Sequence, residues 1–537
     1  MGAAEVLTEP SSLYEANYVS KGVLSDMDMV ITVRNTLASV KHGESNDRYD
    51  ELVKTLQATK NSEPAVTAQL VTLLKALAGS VAYIDIDIIQ HQKIIDLVFG
   101  MSLWDLKPDV MDAFVDLLIS LAVTTGKYLD RCLTMLVHHF VPPDWVIKRL
   151  SQPRVIDQKM EVLSRVHKAL LKIFFLFPLA PSFILVRLDK IMPKTHIKGQ
   201  VVEIFVENLL KLENSPIGQV NSSTILMMVM KRLGDMDLEI DWNGIPQDDS
   251  SRGMFSMEIE DTMNEGDVVF ESLDKLMVIS FDHLESCKLA GRLDEVFENL
   301  FEAFVKYILD TSKPKVSQFL MFYACSLDPE NCGVKFGSKL MDIFLSSKEP
   351  LKRQVSSSLL WSKLTPLFHV LMKTWFVPLW FCFSLFFYNR MTAMAYLASY
   401  LARGKFLPVS YVASMLKRLV EECAEYCRIC SDDINSAAHQ IFYSACQAII
   451  YVLCFRMRSI LDVPRFRSEL IPLESILMHK LNPLKKCIPW VVAEFLKQAK
   501  AGGLFVVSDS FISDKLLESK RLDAFFPFDP CLLKRNL

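Results

Sequence analysis

Cys423, Cys427 and Cys430, followed by His439, are the residues of this sequence whose types and spacing come nearest to a metal centre. Closely spaced thiolates with an imidazole bind zinc, but zinc knuckles place their cysteines on turns that interrupt helices. Here Cys423 and Cys427 stand one helical turn apart in a strongly helical run, so they are expected as buried helical cysteines. His138 and His139 are adjacent and must point to different faces of a helix, without the four-residue spacing and glutamate of a helical zinc pair. Glu421-Glu422 and Asp432-Asp433 read as solvated charges near helix ends rather than as a paired acid and base. Neither the dinucleotide fingerprint nor the P-loop occurs, and no Gly-x-Ser-x-Gly elbow presents a nucleophile. The expectation is a protein that is not an enzyme, with no catalytic residues, no cofactor and no metal.

What remains for such a chain is recognition by surfaces, and the elements that would build them are helices. From Asn61 to Leu233 apolar residues recur with helical spacing. Val110, Phe114, Leu117, Leu118 and Leu121 line one face, and Val201, Val202, Phe205, Val206, Leu209 and Leu210 line another. Breaks fall at Pro108, Pro142-Pro143, Pro178, Pro181, Pro193 and Pro216. Taken as helix pairs, the units are roughly 35–45 residues long, the period of HEAT or armadillo solenoids. Helical patterns resume over Val268 to Leu345 and Ala393 to Met457, and less regularly over Arg465 to Lys500. With only 18 glycines in 537 residues, the turns of an all-β or glycine-rich α/β fold are hard to supply. A hydrophobic content of 51% against 23% charged is enough for a large core. The predicted fold is all-α, a HEAT-repeat-like α-solenoid.

A net charge of −4 provides no global basic field, so direct sequence-specific DNA binding is not expected. The twelve cysteines lie in apolar, helix-like segments, and Met1 to Ser20 carries Glu5, Glu9 and Glu15 without a long apolar stretch. Both features predict reduced thiols inside the cell, in the nucleus or cytosol.

Composition divides the chain into an N-terminal region (1–60), N-terminal helical repeats (61–242), an acidic loop (243–266), central repeats (267–354), an apolar insert (355–390), C-terminal repeats (391–500) and a tail (501–537). Between Asp235 and Asp274 there are thirteen acidic residues and one basic residue, Arg252. Setting that window aside turns the chain's 63 acidic and 59 basic residues into 50 and 58, so an acidic loop insertion hangs on a basic body. The loop is expected to touch a basic partner, to fold back on the body, or simply to link two helical halves.

The insert holds three of the seven tryptophans and six of the 34 phenylalanines. Its uncharged run, Thr374 to Asn389, is 16 residues long and contains Pro378, whereas a membrane span needs about 20 apolar residues, so no membrane association is expected. A span, a buried core helix and translated intron sequence are the three readings. The third accounts for most, because valine codons begin with the GT of a splice donor at Val355 and a T-rich tract translates into phenylalanine. In the tail, Pro527 and Pro530 forbid a helix interior, which predicts an ordered non-helical segment whose phenylalanines need burial.

Several stretches resemble the family of RNA polymerase I-specific transcription initiation factors, known as transcription initiation factor IA. The most specific is the tail, Leu522-Asp523-Ala524 followed by Phe525, Phe526, Pro527, Phe528, Asp529, Pro530, Cys531, Leu532, Leu533, Lys534 and Arg535. Tyr396 to Arg403, Phe442 to Tyr451, Leu481-Asn482-Pro483-Leu484-Lys485 through Phe495, and Asp237-Leu238-Glu239-Ile240 add to it. Cys531 stands where the family usually has tyrosine, and residues 355–390 have no counterpart in it. The resemblance implies a HEAT-repeat protein of the nucleus and nucleolus that acts in ribosomal RNA synthesis from rDNA. It would bind RNA polymerase I at its stalk and dock subunits, bridge it to promoter-bound core factor, and form a homodimer when free. The alternative is a generic HEAT or armadillo adaptor such as a nuclear transport receptor.

Read as a cap on the end of the solenoid, the rings of Phe525, Phe526 and Phe528 should each contribute on the order of 3–5 kcal/mol relative to alanine. Thermal melting of a chain ending at Ser519 checks this: a large loss of stability is expected for a cap, whereas intact stability with lost partner binding identifies a docking peptide.

Overall fold

The computed structural model describes residues 26–40, 47–58, 63–86, 88–124, 126–177, 179–194, 199–240, 265–309, 311, 316–345, 377–430 and 439–504. Most of the acidic loop, the first part of the insert, Asp432-Asp433 and the whole Phe525–Arg535 motif lie outside them. Among the described residues there are helices and no strands. The chain divides into two compact units, Met1–Ile191 and Met192–Leu537.

The first unit contains α1 (Asp26–Ser39), α2 (Asp47–Gln57), α3 (Pro64–Ala78), α4 (Val81–Ile86), α5 (Ile88–Phe99), α6 (Pro108–Thr124), α7 (Leu129–His138), α8 (Asp144–Ile147), α9 (Pro153–Leu176) and α10 (Ala180–Ile191). Helices α1, α3, α6 and α9 pack in succession as one layer, and α2, α5, α7 and α10 as the other. Each layer buries the apolar stripe of its neighbour, as in a helical solenoid. The predicted face of α6 is confirmed, with Phe114, Leu117, Leu118 and Leu121 all at 0% exposure.

The second unit contains α11 (Gly199–Glu213), α12 (Pro216–Glu239), α13 (Glu265–Leu289), α14 (Leu293–Phe304), α15 (Gln318–Leu327), α16 (Val334–Leu345), α17 (Val377–Arg403), α18 (Val409–Ile429), α19 (Gln440–Leu461), α20 (Pro464–Glu469), α21 (Pro472–Leu477), α22 (Pro483–Lys486) and α23 (Pro489–Gly502). Again α11, α13 and α15 pack in sequence, with α12 and α14 alongside them. Helices α16, α17, α19 and α23 continue the stack by packing each on the next. The predicted all-α, HEAT-repeat-like architecture is thus present in each unit.

Proline here opens helices more often than it ends them. Pro64, Pro108, Pro153, Pro216, Pro464, Pro472, Pro483 and Pro489 are all first residues of a helix. At that position the missing N–H has no intrahelical partner to lose, and the fixed φ already suits the helix. Helix α19 is long and apolar enough to cross a membrane, but 72% of its apolar window is buried inside the chain, which makes it a core helix.

In the first unit His139 shows what the paired histidines do. His138 is exposed, while His139 is buried at the end of α7. Its Nε2 accepts the Leu103 N–H at 2.9 Å, and its Nδ1 lies 2.7 Å from the Met135 carbonyl, an arrangement that requires the neutral Nδ1–H tautomer. Burial is the main cause that lowers its pKa from 6.5 to about 4, helped by the adjacent His138 and opposed by the backbone contacts. The folded chain therefore binds this proton less readily than the unfolded chain. Stability should fall as pH drops from about 6.5 to about 4, by on the order of 3 kcal/mol in total. Denaturation of the full chain across that window, compared with His139→Gln, checks it; the variant should lose this part of the slope.

Candidate functional site

The stretches that carry the family resemblance, where described, are structural contacts of the core. Tyr396 and Tyr400 of α17 are fully buried. The Tyr396 ring meets Phe304 of α14 at 5.2 Å, and the Tyr400 hydroxyl donates to the Gly333 carbonyl at 2.9 Å. Two further motifs grip one another. Tyr443 of α19 donates its hydroxyl to the Leu481 carbonyl at 3.1 Å, and Gln447 Oε1 accepts the Ile488 N–H at 2.9 Å. Between those contacts Asn482 takes a left-handed conformation with φ 48°, a geometry asparagine tolerates better than most residues. Asp237, in the element before the acidic loop, is also buried. Its Oδ2 accepts from Val316 N at 2.8 Å, Ser317 N at 2.8 Å and Ser317 Oγ at 2.9 Å, just before α15 begins.

The cysteines that headed the sequence reading do not assemble a metal centre. His439 is buried with Nδ1 2.6 Å from the Tyr426 hydroxyl and 4.0 Å from Cys430 Sγ. The Tyr426 ring stacks on Phe442 at 5.0 Å, and burial pushes the Cys427 thiol up to about 12, so it stays protonated. Glu421-Glu422 lie on the last turns of α18.

A different set of chemically competent groups is brought together in the second unit. At the end of α11 the Glu213 side chain is fully buried. Its Oε1 receives Arg292 Nη2 at 2.6 Å and Ser222 Oγ at 2.7 Å, while Oε2 lies 3.0 Å from His283 Nε2. Cys287, one turn after His283 on α13, has its Sγ 3.4 Å from the same nitrogen. Burial alone would raise the Glu213 pKa, but the bonds from His283, Arg292 and Ser222 outweigh it and hold the carboxyl at about 2, fully ionised at neutral pH. Gly218 makes the arrangement possible: a Cβ there would fall 1.9 Å from the Glu213 carbonyl oxygen, so only glycine lets the start of α12 lie against the end of α11. Among the described residues this is the one group of three potential metal ligands, all buried. The sequence reading passed over it, although the His283-x-x-x-Cys287 spacing places both side chains on one helical face.

The surface offers a different kind of site. At the corner between α9 and α10, Phe175 is 69% exposed, Leu176 56%, Leu179 64% and Val186 55%, with Phe183 also exposed. Isolated exposed apolar residues are ordinary, but five of them on one helix–turn–helix corner make it a candidate interaction site. Lys168 and Lys172 precede it on the exposed face of α9, and Lys190 follows it on α10. From the sequence this run, Ile173 to Leu188, is so apolar that it reads as core on every face.

Comparison with known proteins bears on the whole chain. The sequence profile of a family described as "RNA polymerase I specific transcription initiation factor RRN3" matches residues 23–268 and 241–536. The mouse protein "RNA polymerase I-specific transcription initiation factor RRN3" is 26% identical over 568 aligned positions, covering 94% of this chain and 79% of the mouse protein. Its Schizosaccharomyces pombe counterpart is 23% identical over 535 positions, covering 91% of this chain and 81% of the other. The crystal structure of RNA polymerase I transcription initiation factor Rrn3 superposes with a TM-score of 0.70 at 19% identity, covering 95% of this chain and 96% of that one. Nearly the entire length is matched, and the chain belongs to the RRN3 family of RNA polymerase I-specific transcription initiation factors.

Proposed function

We propose that this chain is a non-enzymatic initiation factor of the nucleus and nucleolus that binds RNA polymerase I at its stalk and dock subunits and bridges it to promoter-bound core factor. The observation that carries the reading is the exposed apolar corner of α9 and α10, fringed by Lys168, Lys172 and Lys190. Aromatic and aliphatic anchors inside a charged rim are the usual anatomy of a protein-binding patch. Stacked helices hold such a patch at a fixed place, so bridging two large partners needs rigidity and no bond-making chemistry. The Phe525–Arg535 motif and the acidic loop are proposed as further parts of this recognition.

Phe175→Ser combined with Leu179→Ser should leave the melting temperature unchanged, because both side chains already face solvent. Capture of RNA polymerase I from nuclear extract should fall at least about tenfold, roughly 1.4 kcal/mol. Undiminished capture removes the corner from the interface. Recovery of transport factors in place of polymerase subunits would instead favour the adaptor reading, and size-exclusion chromatography of the free chain tests the homodimer.

We also propose that residues 355–390 are translated intron sequence and dispensable for the fold. Phe344 O accepts Arg390 Nε at 2.6 Å, so the chain returns to the place it left, and residues 346–354 would suffice to join α16 to Met391. Arg390 is a buried guanidinium whose pKa burial lowers to about 10. With the insert removed, neutral Gln354 stands at that position. A chain lacking 355–390 should melt at the same temperature or higher, and transcripts should join the codons of Gln354 and Met391. Peptides of the insert detected in the cellular protein would refute the idea.

A further inference from the structure

We propose that Glu213, His283 and Cys287 bind one zinc ion that staples α11 to α13 inside the second unit. Thiolate, imidazole and carboxylate together form a donor set that suits zinc, a borderline-soft ion without geometric preference of its own. With ordinary Zn–S, Zn–N and Zn–O bond lengths, tetrahedral ligands stand about 3.6 Å apart for sulfur and nitrogen and about 3.3 Å apart for nitrogen and oxygen. The corresponding separations are 3.4 Å between Cys287 Sγ and His283 Nε2 and 3.0 Å between His283 Nε2 and Glu213 Oε2. All three donor atoms lie within 4.8 Å of one another, so the ion is admitted by small movements of side chains already in place. A water can fill the fourth position.

The surrounding groups are arranged as supports for a metal ligand. The two Glu213 oxygens divide most of their tasks: Oε1 takes Arg292 Nη2 and Ser222, with Asn299 in turn donating to Ser222 at 3.0 Å, while Oε2 faces the imidazole at 3.0 Å and takes only a long bond from Arg292 Nη1 at 3.5 Å. Outer hydrogen bonds of this sort orient a coordinating carboxylate. The charges also balance. Zinc with one thiolate and one carboxylate is neutral, and Arg292 has a second acidic partner, Glu295, at 3.7 Å. Binding releases one proton, that of the Cys287 thiol. The imidazole stays neutral, giving up its Nε2 hydrogen and carrying one on Nδ1; Asn214 Nδ2, a donor 3.3 Å from Nδ1, must then turn so that the amide oxygen accepts that hydrogen. Because two ligands sit on one helix and the third on its neighbour, the ion would act as a cross-link within the stack.

The test is elemental analysis of the full chain purified without chelators, with cobalt reconstitution as the spectroscopic check. The expected result is about one zinc per chain, falling to less than about a tenth in Cys287→Ser and in His283→Gln, and unchanged in Cys427→Ser. Cobalt should give a thiolate charge-transfer band and tetrahedral ligand-field bands that vanish with Cys287→Ser. If either variant fails to fold, the cobalt spectrum of the unaltered chain still decides: without a thiolate band the proposal is overturned. Zinc retained by Cys287→Ser, or a chain that binds none, overturns it equally and leaves the cluster as a hydrogen-bonded ion pair.

Discussion

No helix in this chain can bury its apolar stripe alone, and that constraint sets everything else. Each one must press against the next helix in its own layer and against a helix of the other layer, as α3, α6 and α9 do beside α2, α7 and α10. The core is therefore a ribbon of repeated local contacts, and a defect in one helix is felt mainly by its immediate neighbours. It follows that the polar devices of the fold sit where layers meet. The three-donor grip of Asp237, the Tyr400 bond to Gly333 and the cluster around Glu213 are all of this kind.

Such a scaffold separates stability from recognition. The family-like aromatic residues among the described ones are buried, tying α19 to the Leu481–Ile488 turn and α17 to the turn at Gly333. Their role is packing, since a lost aromatic hydroxyl would leave a buried carbonyl without its donor. Recognition is left to surfaces, and on the proposed reading the exposed α9–α10 corner is one of them.

Periodicity made the helices legible, because a 3.6-residue pattern is a local property of the chain. Proline marked their boundaries, and the breaks at Pro108 and Pro216 are each the first residue of a helix. The candidate site was less legible, for physical reasons. Glu213 meets His283, Cys287 and Arg292 only after α11, α12 and α13 have packed, and no spacing rule links residues so far apart. At the α9–α10 corner the difficulty was the reverse: Phe175, Leu179 and Val186 have the residue types of a core, and only packing shows that they stay exposed among the described residues. Conversely, the spacing of Cys423 and Cys427 correctly indicated helical cysteines rather than a knuckle.

The grip of Asp237 on Ser317 has a mechanical meaning. Asp237 lies at the last turn of α12, where the chain departs into its acidic window, and Ser317 lies three helices later at the entrance to α15. A pull on that window by anything bound to it would be borne first by this anchored turn. The load then passes sideways into a neighbouring repeat, and α12 is spared from unwinding end-first.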